Sequence, residues 1–387
     1  MTAADHSNPE HRRKAGRWRP GPGARALREI AGRFAVAGRL IAAQPFGAGH
    51  INDSFLLTCD GPEGPTRFLL QRVNPSVFPQ PKLVMDNIQR VTTHIRRKLR
   101  MENVTDARRR VLTVVPARDG RHCCFDERGD CWRMYCYVDG ACACDAVQSP
   151  AQAERAARAF GTFQRQLADL DGPRLHETIR DFHNTPLRFA ALERVVRSDP
   201  CRRVARAADE IDFAFGRRPL AGVLLELHRR GQIPERVVHN DAKLSNVLFD
   251  AVSGEALCIV DLDTVMPGLS LYDFGDMVRS MTCAAPEDET DLSRVAAEPS
   301  LFAALVRGYL EAAGAFLTPV EREHLLTAGK LITLEQGVRF LTDFLSGDTY
   351  YRTCRPGHNL DRCRSQFKLL ESLERQEKRL RAVVRQV

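Results

Sequence analysis

The stretch Val237-Val238-His239-Asn240-Asp241-Ala242-Lys243-Leu244-Ser245-Asn246-Val247-Leu248-Phe249 runs from an apolar strand into a polar loop and out again into an apolar strand. After Ser253–Gly254 a third apolar run, Leu257-Cys258-Ile259-Val260, ends at Asp261. With Ser253–Gly254 as a two-residue hairpin turn, residue 247 lies opposite 260 and Asn246 opposite Asp261, within one residue of register. Asn246 and Asp261 then converge at one end of the hairpin, and Asp241 sits on the loop that feeds it. Two carboxylates and an amide form an oxygen-rich cluster of the kind a hard cation such as Mg²⁺ takes. Phosphoryl transfer asks for positioning and charge neutralisation more than covalent chemistry. Asp241 suits the catalytic role of orienting the attacking hydroxyl and accepting its proton. Asn246 and Asp261 suit the metal, and Lys243 adds positive charge near the transferred group. The bland alternative is a loop whose Asp and Asn make turns. It does not account for the H-x-D-x-x-x-x-N spacing with a further Asp after the next strand.

The elements that must position these residues fall into two parts. From about 24 to 140 the pattern mixes strands (54–57, 67–72, 110–115, 131–138) with one helix over 83–99, where Val84, Ile88, Val91, Ile95 and Leu99 recur at helical spacing. From 141 to 387 it is mostly helical, with helices expected over 151–170, 301–313, 319–344 and 364–385 around the strand-rich 236–265. The expected fold class is α+β: a bilobal arrangement with a small strand-rich N-lobe and a large, mostly helical C-lobe. Residues 1–23 are polar, basic and then rich in Pro and Gly, and read as a disordered tail rather than a secretory signal.

Composition narrows the partners. A net charge of +8 is spread along the chain among acids rather than gathered in a patch, and no nucleic-acid-binding signature is visible. No apolar run approaches the ~20 residues of a membrane-spanning helix. Six of the twelve cysteines lie between Cys123 and Cys144, but without paired C-x-x-C spacing, so reduced thiols are expected over a zinc site. The thiols point to a cytoplasmic compartment.

His239-Asn240-Asp241 with Asn246 and Ile259-Val260-Asp261 resembles the aminoglycoside phosphotransferase and choline kinase superfamily, whose fold is protein-kinase-like. More narrowly, 260–268 with Tyr272-Asp273-Phe274-Gly275-Asp276 is similar to the N-acetylhexosamine 1-kinase group. So are Leu70-Gln71-Arg72-Val73-Asn74 with Val77-Phe78, and 339–344 with Asp348-Thr349-Tyr350-Tyr351. The matches run from about residue 44 to 351. Asp273-Phe274-Gly275 spells the magnesium motif of protein kinases, but it lies too far beyond Asn246 for the hairpin end. Asp261 takes that role, and Asp273 and Asp276 are expected to cap a helix or pair with a base.

The resemblance implies an ATP- and Mg²⁺-dependent kinase, by default a monomer, whose partners are a nucleotide and a small-molecule substrate. Gly47 and Gly49 of Phe46-Gly47-Ala48-Gly49-His50 would let backbone approach the phosphates. The next strand should carry a cation paired with a helical acid. Here Gln71-Arg72 stands where most kinases have lysine, so Arg72 is the candidate cation and Asp86 its candidate partner. Backbone near Tyr135 and Tyr137 would take the adenine. The acceptor implied is the anomeric hydroxyl of an N-acetylhexosamine, with His50, Asp263, Thr264, Arg339 and Tyr350 as candidate sugar contacts. Alternatives are the same reaction on another small alcohol, an inactive nucleotide-binding scaffold, or a zinc module. An aminoglycoside polycation asks for an acidic pocket, which Arg339 and Tyr350 do not supply.

Overall fold

Burial that alternates along neighbouring strands builds the first sheet of this computed structural model, which describes residues 22–47 and 51–387. The strands are β1 (Arg39–Pro45), β2 (Asp53–Gly61), β3 (Gly64–Arg72), β4 (Val114–Val115), β5 (Cys124–Phe125) and β6 (Cys131–Cys136). They pair antiparallel in the order β1-β2-β3-β6-β4, with β5 beside β6. Phe55, Leu57 and Cys59 of β2, Phe68 and Leu70 of β3, and Trp132 and Met134 of β6 share one face. That face buries Leu27, Ile30, Ala31 and Phe34, on and just after the helix Ala24–Ala31. Gly61-Pro62-Glu63-Gly64 makes a two-residue turn with Gly64 at φ +104°, so β2 and β3 run longer than the sequence pattern suggests. The strand expected over 110–115 shrinks to β4. A helical turn, Ala107–Arg110, takes its start, and Pro116, which lacks an amide N–H, follows its end. The tail expected over 1–23 lies outside the described residues except at 22 and 23.

The chain divides into two compact units, 1–86 with 113–137 and 87–112 with 138–387; the helix Pro81–Met101 crosses the division. The second unit is mostly helical. Ser149 caps the helix Pro150–Leu167 by accepting the Gln152 N–H at 3.2 Å. That helix lies so close to the helix Pro299–Ala313 that a Cβ at Gly308 would come within 2.1 Å of the Glu154 carbonyl oxygen. The helix Leu325–Leu345 is buried along almost its whole length, packed on the helices Ser270–Met281 and His358–Arg375. The single helix expected over 319–344 is broken at His324, after a capping box between Thr318 and Glu321. The final helical run divides likewise, into His358–Arg375 and Glu377–Gln386.

Five short strands complete this unit: β7 (Ala141–Cys142), β8 (Arg236–Val238), β9 (Val247–Asp250), β10 (Ala256–Ile259) and β11 (Met266–Gly268). They form the sheets β10-β9-β7 and β11-β8. The β9–β10 hairpin closes through a wider turn than Ser253–Gly254. The Asp250 carboxylate accepts the Val252 and Ser253 N–H groups at 3.1 and 2.8 Å, and the Asp250 N–H donates to the Glu255 carbonyl. With a register shift between Ala256 and Cys258, Val247 pairs with Ile259 and the Asn246 carbonyl accepts the Val260 N–H. The register is one residue from that expected, and Asn246 and Asp261 still flank the same end of the hairpin.

Candidate active site

Strand β8 delivers His239, Asn240 and Asp241 into an irregular loop, and irregular backbone must be held by side chains. Asp273 does this. Its fully buried carboxylate accepts the His239 N–H at 2.9 Å and the Asn240 N–H at 2.7 Å. Gln164 donates to the same carboxylate at 2.6 Å, and the buried Tyr309 hydroxyl donates to Gln164, also at 2.6 Å. Burial pushes the Asp273 carboxyl above its ordinary pKa, against the His239 charge and these donors. Asp273 therefore neither caps its helix nor pairs with a base, as the sequence suggested. It pins the loop, because the first turn of Ser270–Met281 runs directly beneath it. Asp276 does meet a base, Arg279, at 2.7 Å. The other Asp276 oxygen, Oδ2, is buried with no hydrogen-bond partner.

Three further ties fix the loop. The Thr264 hydroxyl donates to the His239 carbonyl at 2.7 Å, and the Asn240 amide donates to the Thr264 carbonyl at 2.9 Å. Thr264 is thus engaged with the loop backbone, at a position where the sequence pointed to sugar. The Asp263 side chain is buried, and its carbonyl accepts the Thr178 hydroxyl. His183 faces the Asn240 carbonyl with Nε2 at 3.0 Å and Glu335 with Nδ1 at 2.8 Å, while Thr185 donates to the second Glu335 oxygen. Two non-glycine residues bracket the chemistry in the left-handed region, Asn240 at φ +64° and Asp261 at φ +58°. Such backbone persists where its surroundings over-determine it.

On this platform Asp241 is half-buried. Its Oδ2 meets the Lys243 ammonium at 2.8 Å and accepts the Asn246 amide at 2.9 Å; that amide also donates to the Asp241 carbonyl at 2.8 Å. Burial opposes the Asp241 charge, but Lys243 outweighs it and holds the carboxyl below the usual carboxylate range. Burial opposes the Lys243 charge in turn, and Asp241 followed by Asp261 raises it above the ordinary lysine value. Asp241, Lys243, Asn246 and Asp261 therefore form one cluster. With its NH₂ on Asp241, Asn246 turns its oxygen the other way. Asn246 Oδ1 and the Asp261 carboxylate are hard oxygen donors that fit Mg²⁺.

Near this cluster the helix Leu325–Leu345 carries Arg339. Its guanidinium donates to Gln336 at 3.0 Å and lies 5.3, 6.0 and 5.6 Å from the Phe182, Tyr350 and Tyr351 rings. Tyr350 is 50% exposed. Its loop is held by Asp343, whose carboxylate accepts the Thr349, Tyr350 and Tyr351 N–H groups at 2.9, 2.8 and 2.9 Å. Arg188 donates to the Phe182 carbonyl at 2.6 Å, and its Nε is buried with no hydrogen-bond partner. Burial and then the Arg339 charge lower its pKa. Arg339 and Tyr350 are brought together as the sequence suggested. Arg188, Phe182, Tyr351, His183 and Asp343 were missed. Asp343 and Tyr351 lie within the strings 339–344 and 348–351 but were given no role, and Phe182 and His183 sit in an Asp-Phe-His-Asn-Thr-Pro run that opens a helix.

The residues expected on the nucleotide side fall in the strand-rich unit. Gly47 follows β1 at φ +76°, a turn conformation that suits glycine. Gly49 and His50 lie outside the described residues. Arg72 is buried on the core face of β3 and bonds Asp53, its cross-strand neighbour, and Asp130 at 3.3 Å. Asp86, the partner expected for Arg72, lies on the exposed side of its helix, and these ion pairs of Arg72 are made within the sheet. The reason is parity: residue 72 shares its face with Phe68 and Leu70. Tyr135 is buried on β6, and Tyr137, just beyond the strand, packs edge-on against Phe46 at 5.7 Å.

A strand-rich unit, a helical unit and an Asp-Lys-Asn-Asp cluster on a pinned loop define a phosphotransferase of the protein-kinase-like class. The chain belongs to the phosphotransferase enzyme family, whose model matches residues 42–324. Among solved structures it is similar to a microcompartment-associated aminopropanol kinase, with a TM-score of 0.56 and 17% identity over 92% of this chain and 98% of that one. An aminoglycoside phosphotransferase from Alicyclobacillus acidocaldarius matches with a TM-score of 0.56 and 13% identity over 97% and 100% of the two chains. A spectinomycin phosphotransferase in complex with ADP and spectinomycin matches with a TM-score of 0.53 and 12% identity over 95% and 100%.

Proposed function

We propose that this phosphotransferase moves the γ-phosphoryl group of ATP to the anomeric hydroxyl of an N-acetylhexosamine, giving the sugar 1-phosphate. The observation that carries the reaction type is Asp241, ionised between Lys243 and Asn246 on a loop whose N–H groups are held by Asp273. Asp241 orients the acceptor hydroxyl. Because its pKa is low, it takes the proton late, as the new oxygen–phosphorus bond forms. Lys243 holds Asp241 charged and supplies a donor for the transferred oxygens. Asn246 and Asp261 would hold Mg²⁺, which when bound neutralises phosphate charge.

The acceptor reading rests on Arg339, Arg188 and the Tyr350–Tyr351 loop, which offer hydrogen-bond donors to hydroxyl and acetamido oxygens. The structural relatives include kinases of amino alcohols and aminoglycosides. A cationic amine would here meet two guanidinium groups, while the nearby carboxylate, Glu335, is already engaged by His183 and Thr185. That electrostatics favours a neutral, oxygen-rich acceptor. The test is ADP release with Mg·ATP against N-acetylglucosamine, N-acetylgalactosamine, other hexoses, aminopropanol, choline and kanamycin. Turnover with N-acetylhexosamines supports the proposal. Turnover with the amines alone overturns the acceptor assignment, and no turnover with any of them favours a nucleotide-binding scaffold.

A further inference from the structure

Cys142, Cys201 and Cys354 are the exposed thiols among twelve free cysteines. Cys354 differs from the other two in its surroundings. It lies on the connection between the helices Leu325–Leu345 and His358–Arg375, which also carries Tyr350 and Tyr351. Its Sγ stands 3.5 Å from Nδ1 of His358, the buried first residue of the second helix. The Cys354 N–H donates to the same Nδ1 at 3.2 Å. A backbone N–H can only donate, so Nδ1 carries the lone pair and the ring proton sits on Nε2. Nε2 donates that proton to Asp288 Oδ2 at 3.0 Å. Arg355 also holds Asp288, through its carbonyl at 3.3 Å and Oδ2 at 3.4 Å, and bonds Asp361. A nucleophile, a base and an acid that orients the base are thus joined in sequence by hydrogen bonds. The two ring nitrogens face different partners, so the three side chains do not close on one metal ion, and among the described residues no group of three such side chains could hold one. Neither Cys142 nor Cys201 has a histidine partner among the described residues.

We propose that Cys354 is a modification site that forms a reversible mixed disulfide with a low-molecular-weight disulfide, with His358 as its base and Asp288 positioning the ring. His358 Nδ1 takes the thiol proton as Cys354 Sγ attacks one sulfur of the small disulfide. That S–S bond breaks as the new one forms. The departing thiolate takes the proton from His358 and leaves as a thiol. Cys354 is oxidised and the small disulfide is reduced. The Asp288 carboxylate faces the charge that the ring carries between these two proton transfers. The adduct stands three residues beyond Tyr351, on the connection whose start Asp343 holds through the Thr349, Tyr350 and Tyr351 N–H groups.

This site stands apart from the acceptor proposed above, because its test reads sulfur chemistry and not turnover. Folded protein is incubated with glutathione disulfide, adducts on each cysteine are followed by peptide mass spectrometry, and melting temperatures are measured in parallel. At pH 7 Cys354 is expected to react ~10-fold faster than Cys142 or Cys201, a modest gain for a positioned base because any thiol is already partly ionised there. Dithiothreitol should release the adduct. His358→Gln should bring Cys354 down to the rate of the other two at pH 7. The gap from wild type should close by about pH 9.5, above the ~8.5 at which a free cysteine ionises unaided. Asp288→Asn, at a side chain 39% exposed, should slow Cys354 about threefold while Cys201 keeps its rate, and it carries the test if His358→Gln does not fold. Wild-type Cys354 that reacts no faster than Cys142 and Cys201 overturns the proposal. So do folded His358→Gln and Asp288→Asn proteins whose Cys354 reacts at the wild-type rate at pH 7. A loss in His358→Gln that persists undiminished at pH 9.5 overturns His358 as the base and leaves it a part of the loop's shape.

Discussion

Two loops of the helical unit are each held from beneath by one buried carboxylate, and they are held for different ends. Asp273 accepts two N–H groups of the loop that carries Asp241, and Asp343 accepts three from the loop that carries Tyr350. Around the first loop polar groups are engaged in turn: Thr264 and His183 bond to it, Gln164 bonds to its anchor and Tyr309 to Gln164, and His239 and Asn240 are buried. The second loop has an anchor of equal quality, but Tyr350 stays half exposed above it. The loop of the chemistry is fixed through its backbone and its side chains. The loop proposed for the acceptor is fixed through its backbone and leaves a side chain half exposed. Catalysis tolerates little displacement of a base, whereas recognition of a small acceptor gains from contacts that adjust.

Breaking the first anchor should have the larger effect. Asp273→Ala leaves two buried N–H groups without an acceptor, at a cost of about 1–3 kcal/mol each. Turnover is expected to fall ~100-fold or more as Asp241 loses its position, with a lowered melting temperature. Turnover within a few-fold of wild type would mean that Thr264 and His183 hold the loop alone. Asp343→Ala is expected to act mainly on the acceptor, raising its KM ~10-fold while kcat changes less, which steady-state kinetics at saturating ATP would read. A matching fall in kcat would make the second loop part of the chemistry. Tyr350→Phe, which removes only an exposed hydroxyl, should raise the acceptor KM by about two- to fivefold.

Charge sharpens the contrast further. The folded-state pKa of Asp241 lies below its unfolded value of about 3.9. Its contribution to stability is therefore fully present above that value and is lost as pH falls through the folded pKa. The melting-temperature difference between wild type and Asp241→Asn should stay constant from pH 8 to about 5 and change only below ~4. A difference that changes between pH 8 and 6 would mean that another group controls the loop.

The clustering of Asp241, Lys243, Asn246 and Asp261 was legible in the sequence because it is local: they lie within one loop and one hairpin, where spacing fixes geometry. The family fold followed from the same motif. The supports were not legible, because Asp273, Glu335 and Gln164 reach the loop or its partners from three separate helices and His183 from a turn. A carboxylate that will bond backbone looks, in sequence, like any helical Asp. In the strand-rich unit residue type alone picks out Arg72 as a cation, and only strand register shows that it faces the core. The hairpin register was displaced by one residue because Asp250 builds a wider turn than Ser253–Gly254 alone.

The central claim is that Asp241, held by Asp273, is the base of a phosphoryl transfer to a sugar hydroxyl. The most direct measurement compares wild-type and Asp241→Asn protein for ADP release with Mg·ATP and N-acetylglucosamine or N-acetylgalactosamine, alongside ATP titration and melting temperature. The account expects turnover by wild type and a loss of ~10²–10⁴-fold in the variant, with ATP binding kept and the fold intact. Near-wild-type turnover by a folded Asp241→Asn protein would contradict it.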